Sequence, residues 1–225
     1  DTLWTQSNTY YLNKVIFVEG SAKLTIEPGT KILGKPGSAL IVTRDASIYA
    51  RGKADAPILF SSAAPVGKRK SGDWGGVVLL GSAPVNRTNP HIEGIDENDF
   101  RGHFGGSDPS SNCGVLEFAR IEFAGYEVYA NNELNGLTLG GCGNNTVIRQ
   151  VQVHLALDDG IEVFGGTVFL DHILITGAGD DGFDWDMGWQ GGTQFLVVQQ
   201  YIGRGDNGFE GDNNKKKRDA EPRSM

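Results

Sequence analysis

Asp158-Asp159-Gly160-Ile161-Glu162, Asp180-Asp181-Gly182-Phe183-Asp184 and Asp206-Asn207-Gly208-Phe209-Glu210 are three copies of one pattern, and Leu134-Asn135-Gly136-Leu137-Thr138 is a weaker fourth. Their glycines stand at positions 136, 160, 182 and 208. A period of roughly two dozen positions marks a solenoid, in which each unit buries its apolar face only against its neighbours. An apolar run precedes each turn (147–153, 169–175 and 195–201), and apolar and polar residues alternate after it. Period-two alternation reads as half-buried strand. Three short strands per coil fit this spacing, so the expected fold is an all-β parallel β-helix of one domain over 1–225.

Outward from this repeat the pattern loosens but persists. Val18 to Leu24, Ile26 to Ile32 and Val42 to Ile48 each read as strand end, tight turn, strand start. Nine or ten coils stacked at about 4.8 Å would make a rod of roughly 45 Å. Residues 1–12 are expected to cap its N-terminal end. Residues 86–112, rich in Asn, Asp, Gly, Ser and Pro, read as a long inserted loop projecting from one edge. Residues 211–225 read as a polar, solvated tail that contains the basic run Lys215 to Arg218.

Composition narrows the function classes. The formal net charge is -8 and 33 of 225 residues are Gly. An acidic chain lacks the positive surplus that nucleic-acid binding needs. No apolar stretch reaches the length of a transmembrane segment. The two cysteines, Cys113 and Cys142, each beside a glycine, lack metal-ligand or redox spacing and are expected to form a disulfide, which implies an oxidising compartment.

Several motifs carry a resemblance. Leu24-Thr25-Ile26-Glu27-Pro28-Gly29-Thr30, Gly72-Asp73-Trp74-Gly75-Gly76, Arg120-Ile121-Glu122-Phe123-Ala124-Gly125, Asn135 to Gly141 and Asp158 to Thr167 resemble a family of bacterial secreted proteins and lipoproteins of the pectate-lyase-like superfamily. The resemblance spans nearly the whole chain. It implies a right-handed parallel β-helix, export and an extracellular or outer-cell-surface location on a bacterium. In that family the fold continues past a segment like 207–225, so the chain reads as truncated at Met225. No lipid-attachment cysteine stands at the start.

The acidic turns are the candidates for chemistry. Stacking in register would put Asp158, Asp180 and Asp206 in one column, and Asn135, Asp159, Asp181 and Asn207 in a second. Thr138, Glu162, Asp184 and Glu210 would form a third, facing outward. Two carboxylates about 5 Å apart repel by roughly 3 kcal/mol at an effective dielectric of 20. No Lys or Arg occurs from Asp158 to Asp186. Asp158, Asp159, Asp180, Asp181, Asp184 and Asp206 are therefore candidate ligands of Ca²⁺, a hard cation that takes six to eight oxygens. The alternative is that Asp caps backbone N–H groups and Gly supplies positive φ.

Asp158, Asp159, Asp180 and Asp181 are also the catalytic candidates, because Asp158 to Val163 resembles the paired-Asp strand of polygalacturonases, which implies acid–base hydrolysis. No companion Asn-x-Asp, Gly-His-Gly or Arg-x-Lys stands in the expected relation. Arg204 is the nearest base for a lyase. Trp189, in a Gly-rich loop, is read either as an exposed sugar-stacking platform beside Glu162 and Asp186 or as a cap over a coil edge. Three functions fit these features: a non-catalytic surface or adhesion scaffold, a carbohydrate-binding module, and a polysaccharide lyase or hydrolase. Their partners would be a polysaccharide or other cell-surface proteins.

Overall fold

The computed structural model describes residues 1–129 and 132–224, with only the backbone described at 127–129 and 132–133. The chain opens with β1 (Thr2–Trp4) and β2 (Thr9–Leu12). It then winds through β3 (Val15–Val18), β4 (Lys23–Ile26) and β5 (Lys31–Gly34), and through β6 (Ala39–Val42), β7 (Ser47–Arg51) and β8 (Ile58–Ser62). After β9 (Val77–Leu80) it leaves the stack, passes a 3₁₀ turn at Phe100–Gly102, and re-enters as β10 (Gly114–Glu122). A small hairpin, β11 (Glu127–Tyr129) and β12 (Asn132–Glu133), follows. The remaining strands are β13 (Leu137–Gly140), β14 (Val147–His154), β15 (Ile161–Phe164), β16 (Phe169–Thr176), β17 (Phe183–Asp186), β18 (Gly192–Gln199) and β19 (Phe209–Gly211).

The strand pairs of the stack are parallel throughout the described residues. One sheet is β3-β6-β9-β13-β15-β17-β19 and forms one side of the coil. The other holds ten strands and supplies the remaining two sides, with β10 pairing β7 by its first half and β8 by its second. This is a right-handed parallel β-helix, the hand that parallel crossovers take almost without exception. Seven strands in the first sheet give a stack of ~29 Å, shorter than the nine or ten coils read from the sequence. The difference comes from two excursions that lengthen coils without adding any. Val77 pairs with Leu40 behind it and with Leu137 ahead, so one coil runs from position 40 to 77 and the next from 77 to 137.

The glycines of the repeat do stack. The N–H groups of Leu137, Ile161 and Phe183 donate to the carbonyls of Gly160, Gly182 and Gly208, each at 3.1 Å. Their conformation corrects the expectation that they supply positive φ, since none of the four has it. Three of them are glycine because space is lacking. A Cβ on Gly160 would collide with Cγ2 of Ile175 and lie 2.6 Å from the Gly182 carbonyl oxygen, and Gly136 and Gly182 are hemmed in by Val153 and Val198 in the same way.

Left-handed residues sit instead at the corners. Phe118, Gln150, His172 and Phe195 have φ of 46°, 48°, 54° and 56° and bend β10, β14, β16 and β18 between two sides of the coil. Phe123, Leu155 and Gly177 form a second such column, and Gly141, Gly165 and Met187 a third. An L-residue in this region costs roughly 1–2 kcal/mol. The ladder bonds on either side of each corner, repeated in every coil, hold it there.

The interior is a continuous apolar column that includes Leu40, Val77, Leu137, Ile161 and Phe183 from the first sheet, with Ile48, Leu116, Ile148, Leu170 and Ile175 from the second. The cysteines join this column: Cys113 and Cys142 form a disulfide with a Cα–Cα distance of 5.8 Å. At the N-terminal end of the stack, β1 and β2 pair in register with β4 and β5. The 86–112 loop does not project; it lies across the outer face of the first sheet. There Ile92 and Phe104 form a second core with Ile41, Val78, Leu80, Phe164 and Met187. β6 and β9 are consequently buried on both faces, which is why Ala39–Val42 and Val77–Leu80 are uninterrupted apolar runs. The tail also folds back over 213–222: the Asn86 amide donates to Asn213 O at 2.7 Å and Pro222 O at 3.0 Å, and Ala220 is buried.

Candidate functional site

The outer face of the first sheet changes character along the stack. Outward positions are apolar under the long loop and then become Thr138, Glu162, Asp184 and Glu210, which are register partners on successive strands. The Asp-Asp-Gly turns lead into these strands. Asp159 Oδ1 accepts the N–H of Asp181 at 2.9 Å, and Asp181 Oδ1 accepts the N–H of Asn207 at 2.6 Å. The second acidic residue of each turn therefore caps the next coil, as turn chemistry alone requires.

The third column is less easily explained by capping. Thr138 and Asp184 are buried and Glu162 is half-buried, although all three point away from the helix interior. Asp159, Glu162 and Asp184 each present a carboxylate oxygen within 4.8 Å of the others. Asn135 donates its amide to Glu162 Oε2 at 2.6 Å, and its own Oδ1 has no hydrogen-bond partner. Asp184 Oδ1 is also buried without a hydrogen-bond partner. Such groups carry a desolvation cost that only a proton, a donor or a cation removes.

The electrostatics follow from that burial. Burial first, and then the neighbouring Asp158, push the Asp159 carboxyl up to about 8. Burial followed by Asp159 and Asp184 holds Glu162 well above the usual carboxylate range. Asp184 is raised by burial, and Asp180 by burial and by Asp181 and Asp206. One cation does reach the ridge from far along the chain. Burial works against the charge on Lys215, but Glu162, Asp184, Asp186 and Asp212 outweigh it and its pKa is raised. The absence of Lys or Arg from Asp158 to Asp186 therefore does not leave the ridge without a positive partner. Lys215 lines a cavity of about 350 Å³ together with Glu93, Glu162, Asp186 and Arg87.

The structure brings the six expected metal ligands together in overlapping groups. Asp158, Asp159 and Asp180 form one, and Asp180, Asp181 and Asp206 another, both at the turns. Asp184 joins Asp159 and Glu162 in the buried group. Glu162 and Asp186 share the cavity, but Trp189 is not beside them on the surface. It is buried, donates its indole N–H to Val168 O at 3.1 Å, and packs on Phe183 and Trp185, which corrects its reading as an exposed stacking platform. Gly188, Gly191 and Gly192 flank it in sequence, yet the tryptophan fills the core end. Arg204 is likewise structural, donating to Gly177 O, Ser71 Oγ and Ala156 O at 2.6–2.7 Å. Lys215 is a member of the site that sequence reasoning missed, while Asn135 was expected in the column of Asp159 and Asp181 but not counted among the ligands. Asn135 carried a signal, since it occupies the Asp159 and Asp181 position of the repeat.

Among the described residues no helix is long and apolar enough to cross a membrane. Comparison with curated proteins and with solved structures returns no match. The family model of the pectate-lyase-like β-helix domain matches residues 1–225, so the chain belongs to the pectate-lyase-like β-helix family.

Proposed function

We propose that this chain is a non-catalytic extracellular β-helix scaffold whose C-terminal coils are stiffened by a divalent cation, Ca²⁺ by the chemistry of the donors. The observation that carries this is the buried trio Asp159, Glu162 and Asp184 beside two unpartnered oxygens, Asn135 Oδ1 and Asp184 Oδ1. Oxygens bound to one Ca²⁺ at about 2.4 Å lie at most about 4.8 Å apart, which matches the spacing of the trio. Carboxylate and amide oxygens, with no sulfur or imidazole among them, suit a hard cation. A surface or adhesion role is supported by the extended ladder and by the disulfide, which fits an oxidising compartment.

The test is thermal unfolding with millimolar Ca²⁺ against a chelator, for the wild type and for Asp184→Asn. The expected result is a rise of several degrees with Ca²⁺ that is lost in D184N. A wild-type melting temperature that does not move with Ca²⁺ would sink the cation reading.

The cavity supports a second reading, as a carbohydrate-binding or hydrolytic groove. Glu162, whose pKa burial raises, and Asp186 line the same space, and glycoside cleavage pairs a carboxyl of raised pKa with a second carboxylate in this way. Reducing-sugar release from acidic polysaccharides that disappears in Glu162→Gln would favour it over the scaffold.

A further inference from the structure

A second, larger cavity lies between the β6–β7 turn and the long loop and shares Arg87 with the cavity of the acidic ridge. It measures about 560 Å³, within the ordinary range for small-molecule sites. Arg44 enters it from the turn, Arg87 from the outgoing limb of the loop, and His103 from the returning limb. No carboxylate lines it, in a chain whose net charge is -8. Glu19 and Asp45 face one adjoining cleft, and Glu93 and Glu97 another.

The arginines here differ from Arg101 nearby. Arg101 is held bidentately by Asp99, reaches Glu19 at 3.8 Å, and lies 3.7 Å over the Phe17 ring. Arg44 makes one long contact, from Nη1 to Gly105 O at 3.5 Å. Arg87 has no hydrogen bond or ion pair among the described residues. Two guanidinium forks with spare donors therefore converge on a carboxylate-free space. Phe100 borders it with 78% of its surface exposed, while Phe104 beneath is anchored in the second core. An exposed ring held on a 3₁₀ turn at the rim of a cavity offers a flat apolar face to a ligand.

We infer that this cleft binds a sugar carrying a sulfate or phosphate monoester, with the ester group among Arg44, Arg87 and His103 and the sugar ring on Phe100. Two guanidinium forks face the charged group, with the His103 ring, whose Nδ1 donates to Pro90 O at 3.3 Å, beside them, and the several N–H donors of the forks suit a tetrahedral oxyanion with three terminal oxygens better than a planar carboxylate with two. The cleft shares none of the carboxylates of the acidic trio, although Arg87 also borders the cavity beside Glu162.

The experiment is isothermal titration of the full chain with glucose 6-sulfate and glucose 6-phosphate, with glucose, glucuronate and inorganic sulfate as comparisons. Either ester should bind at least tenfold more tightly than each comparison. Arg44→Gln combined with Arg87→Gln should lose tenfold or more at an unchanged melting temperature, and Phe100→Ala should lose severalfold for the esters while leaving inorganic sulfate unaffected. No binding of either ester at millimolar concentration would overturn the inference. So would inorganic sulfate or glucuronate binding as tightly as the esters, or undiminished binding by the double variant.

Discussion

Raising the pH in the presence of a chelator should weaken this fold, and Asp159 sets the size of the effect. Its native carboxyl titrates near 8, whereas an unfolded Asp titrates near 3.8. Between those values the native state holds a proton that the unfolded state has released, so stability falls as pH rises through that window. Below it both states are protonated and the penalty is absent. From pH 6.5 to 8 the proton-binding difference integrates to about 1.6 kcal/mol, at roughly 1.36 kcal/mol per unit. That window avoids most of the opposing contribution of His154, whose pKa is lowered by burial and whose effect falls below its ordinary value of 6.5. The assay is urea unfolding at half-unit pH steps. Asp159→Asn keeps the oxygen that caps Asp181 and removes the titration, so its curve should be flatter by that amount. Saturating Ca²⁺ should flatten the wild-type curve as well. Equal slopes for the wild type and D159N in chelator would refute the reasoning, because Asp159 would then ionise freely in the folded state.

Two further outcomes follow from the packing. Gly160→Ala should cost about 2–3 kcal/mol, because its Cβ meets Ile175 and the Gly182 carbonyl, while Gly208→Ala, with nothing within 4 Å, should change stability far less; urea midpoints compare them directly. Replacing Cys113 and Cys142 together by Ala should cost about 3.6 kcal/mol from the 29-residue loop the disulfide closes, read as the difference in unfolding free energy at constant pH.

The repeat was legible because everything that makes it is local. Gly136, Gly160, Gly182 and Gly208 recur at a nearly constant spacing, and the strands that follow them pair in the register this spacing demands. The coil count was not legible, since the coils from 40 to 77 and from 77 to 137 conceal their period inside long excursions. The corners left little trace, because Phe118, Gln150, Leu155 and Met187 are not turn-forming residues and are held left-handed only by the stack around them. The covering of the first sheet could have been read from Ala39–Val42 and Val77–Leu80, whose outward positions are as apolar as their inward ones. Lys215 against the ridge and Trp189 in the core were out of reach, because each depends on a contact across the chain that no local pattern encodes.

The unequal coil lengths bear on how the chain finds this structure. Pairing β13 with β15 joins Leu137 to Ile161, and pairing β15 with β17 joins Ile161 to Phe183. Pairing β9 with β13 must instead join Val77 to Leu137, a far longer loop. The longer closure costs roughly 0.8 kcal/mol more in chain entropy, before any ordering of the segment that must settle over the first sheet. The N-terminal coils close loops as short as the C-terminal ones, since Val15 pairs with Ala39 and Lys23 with Ser47, so the two ends of the stack share the smaller kinetic barrier and the pairing of β9 with β13 comes after both. Pulse-labelled hydrogen exchange during refolding should find amide protection in β3 to β7 and in β13 to β17 ahead of β9. The molecule would then assemble from its two ends toward the middle, with the long loop settling over the first sheet last.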